Sequence, residues 1–184
     1  MADLMMSRRS VLAGLSLPSK AGVAAVSDPG VFARFVYRGA PELFPAVFGI
    51  ALPTPMRAHA EGARAALWLG PDEWLLLVPD GDGSTVGVML VDALAGHAAS
   101  LVDVGHRQVG LTVTGPRAAD LINAGCPLDL DLAAFPVGMC TRTILAKVEI
   151  ILWRTADDAF RIEVARSLAP YVVELLREAL FGVA

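Results

Sequence analysis

The chain has 184 residues, with 15 Lys and Arg against 19 Asp and Glu, which gives a formal net charge of −4. An acidic chain without a Lys/Arg cluster lacks the positive surface that nucleic acid binding requires. Its longest uncharged stretch, Leu43 to Met56, is interrupted by prolines and is too short to span a bilayer. We therefore expect neither nucleic acid nor a membrane as a partner. The high hydrophobic content of 55%, with only 18% charged residues, instead indicates that apolar surface is buried against protein.

The amino-terminal segment resembles the start of a twin-arginine export signal, in the residues Ser7 to Leu12. The apolar stretch that follows is short for a signal peptide, since it ends at Pro18 and is followed by a charge at Lys20. We expect residues 1–27 to be a flexible or partner-docked tail that is retained, and the protein to be cytoplasmic.

Residues 28–104 have the pattern of a first α+β lobe. Its strongest feature is a hairpin with arms Ala65–Leu69 and Trp74–Val78, joined by a turn that contains Pro71. The other predicted elements are a strand over Val31–Tyr37, a short helix opened by Pro41, a helix capped by Ser84 and stopped at Gly96, and a strand over Ser100–Val104.

Residues 105–184 repeat this order as a second lobe. The predicted elements are a strand over Arg107–Val113, a short helix between Pro116 and Gly125, a hairpin with arms Lys147–Trp153 and Phe160–Val164, and a final helix capped by Ser167. In the second hairpin arm, Arg161 and Glu163 point away from the apolar face.

The repeated order predicts an α+β fold of two fused ferredoxin-like βαββαβ lobes with mainly antiparallel sheets. The second lobe ends on a helix, so we expect it to be incomplete and to lack its last strand. Each hairpin has a tryptophan in its first arm, and we expect Trp68 and Trp153 to occupy comparable places.

Motifs that would indicate catalysis are incomplete. The glycine-rich stretch Gly81–Gly87 lacks the lysine of a phosphate-binding loop and the spacing of a dinucleotide fingerprint. Ser100, Asp103 and His106 are the residue types of a hydrolytic triad, but they lie on one strand and turn without a nucleophile elbow. The two cysteines form no metal-binding motif. We predict no catalytic, cofactor-binding or metal-binding residue in this chain.

Two polar clusters stand out in otherwise apolar sequence, His106-Arg107-Gln108 and Thr141-Arg142-Thr143 with Lys147. One interpretation is a set of donors aimed at a partner or at a carboxylate ligand, which arginine binds in a bidentate way. The other is the outward face of strands. The residues alone do not separate these two interpretations.

Several segments together resemble the gamma subunit family of heterotetrameric sarcosine oxidase. They are Leu69–Leu77, Ser100–Leu111, Cys126–Asp131, Phe135–Gly138, Cys140–Thr143, Leu145–Arg154 and the opening Arg9–Leu15. Two positions depart from the family pattern, because Gly105 stands where serine is expected and Ala165 where an aromatic residue is expected.

This resemblance implies a supporting subunit that assembles with alpha, beta and delta subunits. Such a complex oxidatively demethylates sarcosine to glycine, using oxygen and tetrahydrofolate and releasing hydrogen peroxide. The resemblance also implies that FAD, FMN, NAD, zinc and tetrahydrofolate are bound by the other subunits and that none is bound here. The family fold is similar to part of the folate-binding aminomethyltransferases.

Two alternatives stay open from the sequence: a stand-alone folate-binding or aminomethyltransferase-like protein, and a scaffold without a ligand. If the chain is a supporting subunit, polar side chains at the rim of an apolar interface are the expected contacts. The candidates are His106, Arg107, Gln108, Arg142, Lys147 and Arg166.

Overall fold

The structure is a computed structural model that describes residues 9–183. It contains two antiparallel sheets and three α-helices in this range. The strands are β1 (Ser19–Lys20), β2 (Ala24–Ser27), β3 (Phe32–Arg38), β4 (Ala58–Glu61), β5 (Arg64–Gly70), β6 (Glu73–Pro79), β7 (Ser100–Asp103), β8 (Gln108–Thr114), β9 (Cys140–Leu145), β10 (Val148–Ala156) and β11 (Ala159–Ala165). The helices are α1 (Gly83–Leu94), α2 (Ala118–Asn123) and α3 (Ala169–Gly182), and short 3-10 turns include Pro41–Leu43 and Arg166–Leu168.

The strand orders confirm the α+β fold with two ferredoxin-like lobes. The first sheet has the order β4-β5-β6-β3-β7 and the second has the order β1-β2-β8-β11-β10-β9. All of their neighbouring strands are antiparallel. The run β5-β6-β3-β7 of the first sheet corresponds to β10-β11-β8-β2 of the second. Strands β4 and β9 are additional edge strands that pair with β5 and β10, respectively.

The second lobe is complete, and our prediction that it lacks a strand was wrong. Strand β2 pairs with β8 on the side away from β11, which is the place that β7 takes beside β3. The segment expected to be a tail therefore supplies the missing strand, because an uncovered β8 would leave a row of unpaired backbone groups. Leu12, only 2% exposed, also packs into the core of this lobe. Residues 1–8 of the predicted tail lie outside the described residues.

The molecule has four layers, with a helix layer on the outside of each sheet. Helix α1 covers the outer face of the first sheet with Val86, Leu90 and Leu94. Helices α2 and α3 cover the outer face of the second sheet. A third apolar cluster joins the inner faces, where Leu67 and Leu77 of the first sheet share it with Ile151 of the second. The two lobes are thus held together sheet to sheet.

The predicted hairpin arms and the final helix are confirmed, but three local details were wrong. Helix α1 begins at Gly83, so Ser84 lies inside its first turn, and Ser167 lies in a 3-10 turn ahead of α3. Trp68 packs on the helix side of its sheet, whereas Trp153 packs between the sheets. The two tryptophans are on corresponding strands with opposite orientation, because the alternation along β5 and β10 is offset by one residue.

Within residues 9–183, no helix has the length and apolar character needed to cross a membrane.

Candidate functional site between the two sheets

Three charged side chains are buried in the layer between the sheets, and we call them the ionic cluster. Strand β3 contributes Arg34, and β11 contributes Arg161 and Glu163. Arg34 Nε donates to Glu163 Oε2 over 2.7 Å, and Arg161 Nε donates to Glu163 Oε1 over 2.8 Å. The three residues are 2%, 8% and 1% exposed, respectively. One carboxylate therefore accepts charge-assisted hydrogen bonds from both lobes.

The surroundings of the ionic cluster are shaped to hold it. Arg34 Nη1 donates to the carbonyl of Phe32, and the ring of Phe32 lies 4.3 Å from the guanidinium carbon of Arg161. Gly110 is directly opposite Glu163 in the β8–β11 ladder. A Cβ at Gly110 would lie 2.9 Å from Glu163 Oε1, so any residue larger than glycine would displace the carboxylate.

The ionic cluster carries an excess of positive charge, because two guanidinium groups share one carboxylate. Arg161 Nη2 is buried and has no hydrogen-bond partner among residues 9–183. A buried charge without a counterion is costly, which makes a neighbouring anion favourable.

A cavity of about 410 Å³ opens beside the ionic cluster, and we call it the interlobe cavity. Its walls come from residues 9–11, the start of β3, the β7–β8 turn, the start of β8 and the residue after β11. The polar side chains that line it are Arg9, Ser10, Arg34, His106, Gln108 and Arg166. No carboxylate is among the described lining residues, although the chain as a whole is acidic.

The structure brings together three of the six predicted site residues, His106, Gln108 and Arg166, as lining of the interlobe cavity. The reason is a backbone hydrogen bond of 2.8 Å, from the N–H of Arg166 to the carbonyl of Arg107. This bond fastens the end of β11 to the start of β8. Arg107 itself is exposed and does not line the cavity.

The other two predicted residues lie elsewhere. Arg142 on β9 donates to both carboxylate oxygens of Glu73, over 2.5 and 3.3 Å, and to the carbonyl of Leu69 over 3.2 Å. Its guanidinium thus joins the second lobe to the first within the chain. Lys147 is exposed in the turn between β9 and β10.

Ser100, Asp103 and His106, the residue types of a hydrolytic triad, do not converge in the structure. Asp103 Oδ1 accepts a hydrogen bond of 2.7 Å from the N–H of Gly105 and closes the turn after β7. Ser100 is at the opposite end of that strand, where it pairs with Arg38. The glycine-rich stretch begins α1, where Gly83 lies so close to Ala33 that a Cβ would be 2.4 Å from the Cβ of Ala33.

Cys140 is not a reactive thiol. Its Sγ donates to the carbonyl of Arg57 over 3.2 Å, and burial raises its pKa to about 12. A thiol with such a high pKa carries almost no thiolate at neutral pH. In the described part of the chain, no group of three or more His, Cys, Asp and Glu side chains could hold a metal ion.

Sequence reasoning missed the ionic cluster. Arg161 and Glu163 were placed correctly on the face opposite the apolar one, but that face packs against the other sheet. The signal that could have found the ionic cluster is Arg34, a charge in the middle of an apolar strand. Such a residue requires a buried partner of opposite charge.

Fold and site together define a two-lobed α+β protein whose conspicuous polar features are an ionic cluster and a cationic cavity. The family model of the sarcosine oxidase gamma subunit family matches residues 39–181. The chain is 31% identical over 169 residues to the sarcosine oxidase subunit gamma of Corynebacterium sp. strain P-1, covering 90% of this chain and 77% of that one. It is 32% identical over 154 residues to that of Arthrobacter sp., covering 83% and 70%. The chain belongs to the sarcosine oxidase gamma subunit family.

Solved structures agree with this assignment. A chain of heterotetrameric sarcosine oxidase from Corynebacterium sp. U-96, in complex with pyrrole 2-carboxylate, superposes with a TM-score of 0.87 at 26% identity, covering 95% of each chain. Aminomethyltransferase T of the glycine cleavage system from Bartonella henselae superposes with a TM-score of 0.66 at 16% identity, covering 84% of this chain and 45% of that one. The second match shows a shared fold and confirms the expected fold resemblance.

Proposed function

We propose that this chain is the supporting subunit of a heterotetrameric sarcosine oxidase, a complex that oxidatively demethylates sarcosine to glycine with oxygen and tetrahydrofolate. The observation that carries the proposal is the superposition over 95% of both chains on a chain of such a complex. The partners are the alpha, beta and delta subunits, in the cytoplasm. FAD, FMN, NAD, zinc and tetrahydrofolate are bound by those other subunits.

An exposed apolar surface supports a role in assembly, and we call it the α1 face. On α1, Val88 is 62% exposed and Val91, three residues further along the same helix, is 56% exposed. The groove between α1 and the sheet also has the carboxylates of Asp92 and Asp103 in its lining. Contiguous exposed apolar side chains mark interaction sites, and acidic groups around them favour a partner with basic residues.

The α1 face is therefore the surface we assign to a larger subunit of the complex. Arg107 and Lys147 are exposed, and they remain proposed contacts at the rim of an interface. Arg142 is already bound within the chain, so it contributes to the stability of this subunit more than to assembly.

Co-expression with the flavoprotein subunits tests this function. Val88→Asp places a charge on the α1 face and should prevent co-elution on size exclusion, because an unpaired charge cannot be buried in an apolar interface. Val137→Asp is the matched control, since Val137 is also exposed, at 43%, but lies in the loop before β9. Both variants should keep the circular dichroism spectrum of the native chain.

Two results would contradict parts of the proposal. One is a Val88→Asp variant that co-elutes as the native chain does, which would rule out the α1 face as the surface that contacts the larger subunits. The other is saturable tetrahydrofolate binding by the isolated chain, which would favour a stand-alone folate-binding protein.

A further inference from the structure

We propose that the interlobe cavity is a binding site for a small organic carboxylate, one with an apolar body and an N–H or O–H group. This inference does not depend on the proposed function, because it concerns a site formed within this chain.

The electrostatics of the interlobe cavity favour an anion. Arg9, Arg34 and Arg166 line it, together with His106, and neither Arg9 nor Arg166 has a carboxylate partner among residues 9–183. Arg34 belongs to the ionic cluster, in which two guanidinium groups share one carboxylate, so the cluster contributes a net charge of one positive unit beside Arg9 and Arg166. Like charges gathered at a cleft focus the field and attract the opposite charge. Guanidinium groups bind carboxylates in a bidentate geometry.

Two carboxylates near the cavity wall already have partners in the backbone. Asp28 Oδ1 accepts from the N–H of Gly30 over 2.8 Å, and Asp103 Oδ1 accepts from the N–H of Gly105 over 2.7 Å. Each carboxylate closes a tight turn, and the two glycines of those turns line the cavity. The acidic groups thus build the wall and leave the guanidinium groups of Arg9 and Arg166 for a ligand.

The remaining lining indicates what the ligand carries besides its carboxylate. Val31, Phe32 and Val109 supply apolar wall, which suits a hydrocarbon or aromatic body. Gln108 Oε1 is buried and has no hydrogen-bond partner in the described part of the chain. An acceptor without a donor is costly, so an N–H or O–H group on the ligand would be favoured. A volume of about 410 Å³ accommodates a benzoate-sized acid.

Calorimetric titration of the full chain with benzoate tests the carboxylate site, with benzamide as the neutral control of the same shape. We expect saturable benzoate binding and binding of benzamide that is at least about tenfold weaker, because a charge-assisted hydrogen bond contributes that much. Arg166→Gln should weaken benzoate by about tenfold. Arg107→Gln is the matched control, since Arg107 is an exposed neighbour outside the cavity, and it should change the Kd by less than about twofold.

A second ligand tests the role of Gln108. 3-Hydroxybenzoate should bind more tightly than benzoate to the native chain, and Gln108→Leu should remove that advantage while keeping benzoate binding. Equal affinity for benzoate and benzamide would overturn the proposal. So would an equal effect of the Arg107 and Arg166 substitutions, since it would indicate attraction by the general surface charge.

Discussion

Glu163→Gln should be among the most destabilising conservative substitutions in this chain. The carboxylate holds two guanidinium groups, over 2.7 and 2.8 Å, from opposite sheets. Glutamine has the same shape but only one acceptor oxygen, and its amide group would face a buried cation. Removing one partner of a buried ion pair costs about 3–5 kcal/mol, since the remaining charge stays buried without compensation.

Urea denaturation monitored by circular dichroism measures the loss in the free energy of unfolding. In a thermal melt of a chain of this length, a loss of about 3–5 kcal/mol corresponds to a fall in Tm of roughly 6–20 °C. Asp72→Asn is the matched control, because it breaks the Arg38–Asp72 pair, whose side chains are 56% and 57% exposed against 3% and 1% for Arg34 and Glu163. An exposed pair contributes at most about 1 kcal/mol.

A triple substitution separates buried charge from packing. Arg34→Met, Arg161→Met and Glu163→Leu together remove every charge of the ionic cluster and fill the layer with apolar groups. We expect this variant to be within about 2 kcal/mol of the native chain or more stable, since replacing a whole buried ion cluster is often neutral or favourable. If Glu163→Gln lowers the free energy of unfolding by less than about 1 kcal/mol, the ionic cluster contributes no more than an exposed ion pair, contrary to the prediction.

Three further predictions follow from neighbouring contacts. Gly110→Ala should cost about 1–3 kcal/mol in urea denaturation by displacing the ionic cluster, whereas Gly70→Ala, whose Cβ would be 3.7 Å from its nearest neighbour, should be close to neutral. Cys140 should resist iodoacetamide at pH 8 until the chain is unfolded, as measured by peptide mass spectrometry. Because its pKa is raised in the folded state, the free energy of unfolding should fall as pH rises from about 9 towards 12, and Cys140→Ala should reduce that fall. Arg142→Ala should lower the urea midpoint of the isolated chain by breaking its bonds to Glu73, and an unchanged midpoint would show that this contact between the lobes is not stabilising.

Much of the fold could be predicted because its signals are local. The hairpin of β5 and β6 has an apolar run on each side of a proline-containing turn, and α3 has a continuous apolar stripe. Strands β2, β4 and β9 were missed for the opposite reason. They are short or polar, and they form because a neighbouring strand offers unpaired backbone groups. That pairing depends on residues far away in the chain.

The candidate site could be predicted only in part, for the same reason. The polar cluster around His106 was recognised as unusual, and Arg166 was named as a contact. Their meeting in one cavity depends on the backbone bond between Arg107 and Arg166, which no local spacing indicates. The inward charges of β11 were visible as an alternation, but an alternation cannot tell a solvent-facing side from one covered by a second sheet.

The most direct test of membership in the complex is the activity of the flavoprotein subunits prepared with and without this chain. We predict that the purified chain alone releases no peroxide from sarcosine, and that it co-elutes with the other subunits in a complex that does. A complex of full activity and stability that lacks this chain would contradict its role as a supporting subunit, as would sarcosine turnover by the chain on its own.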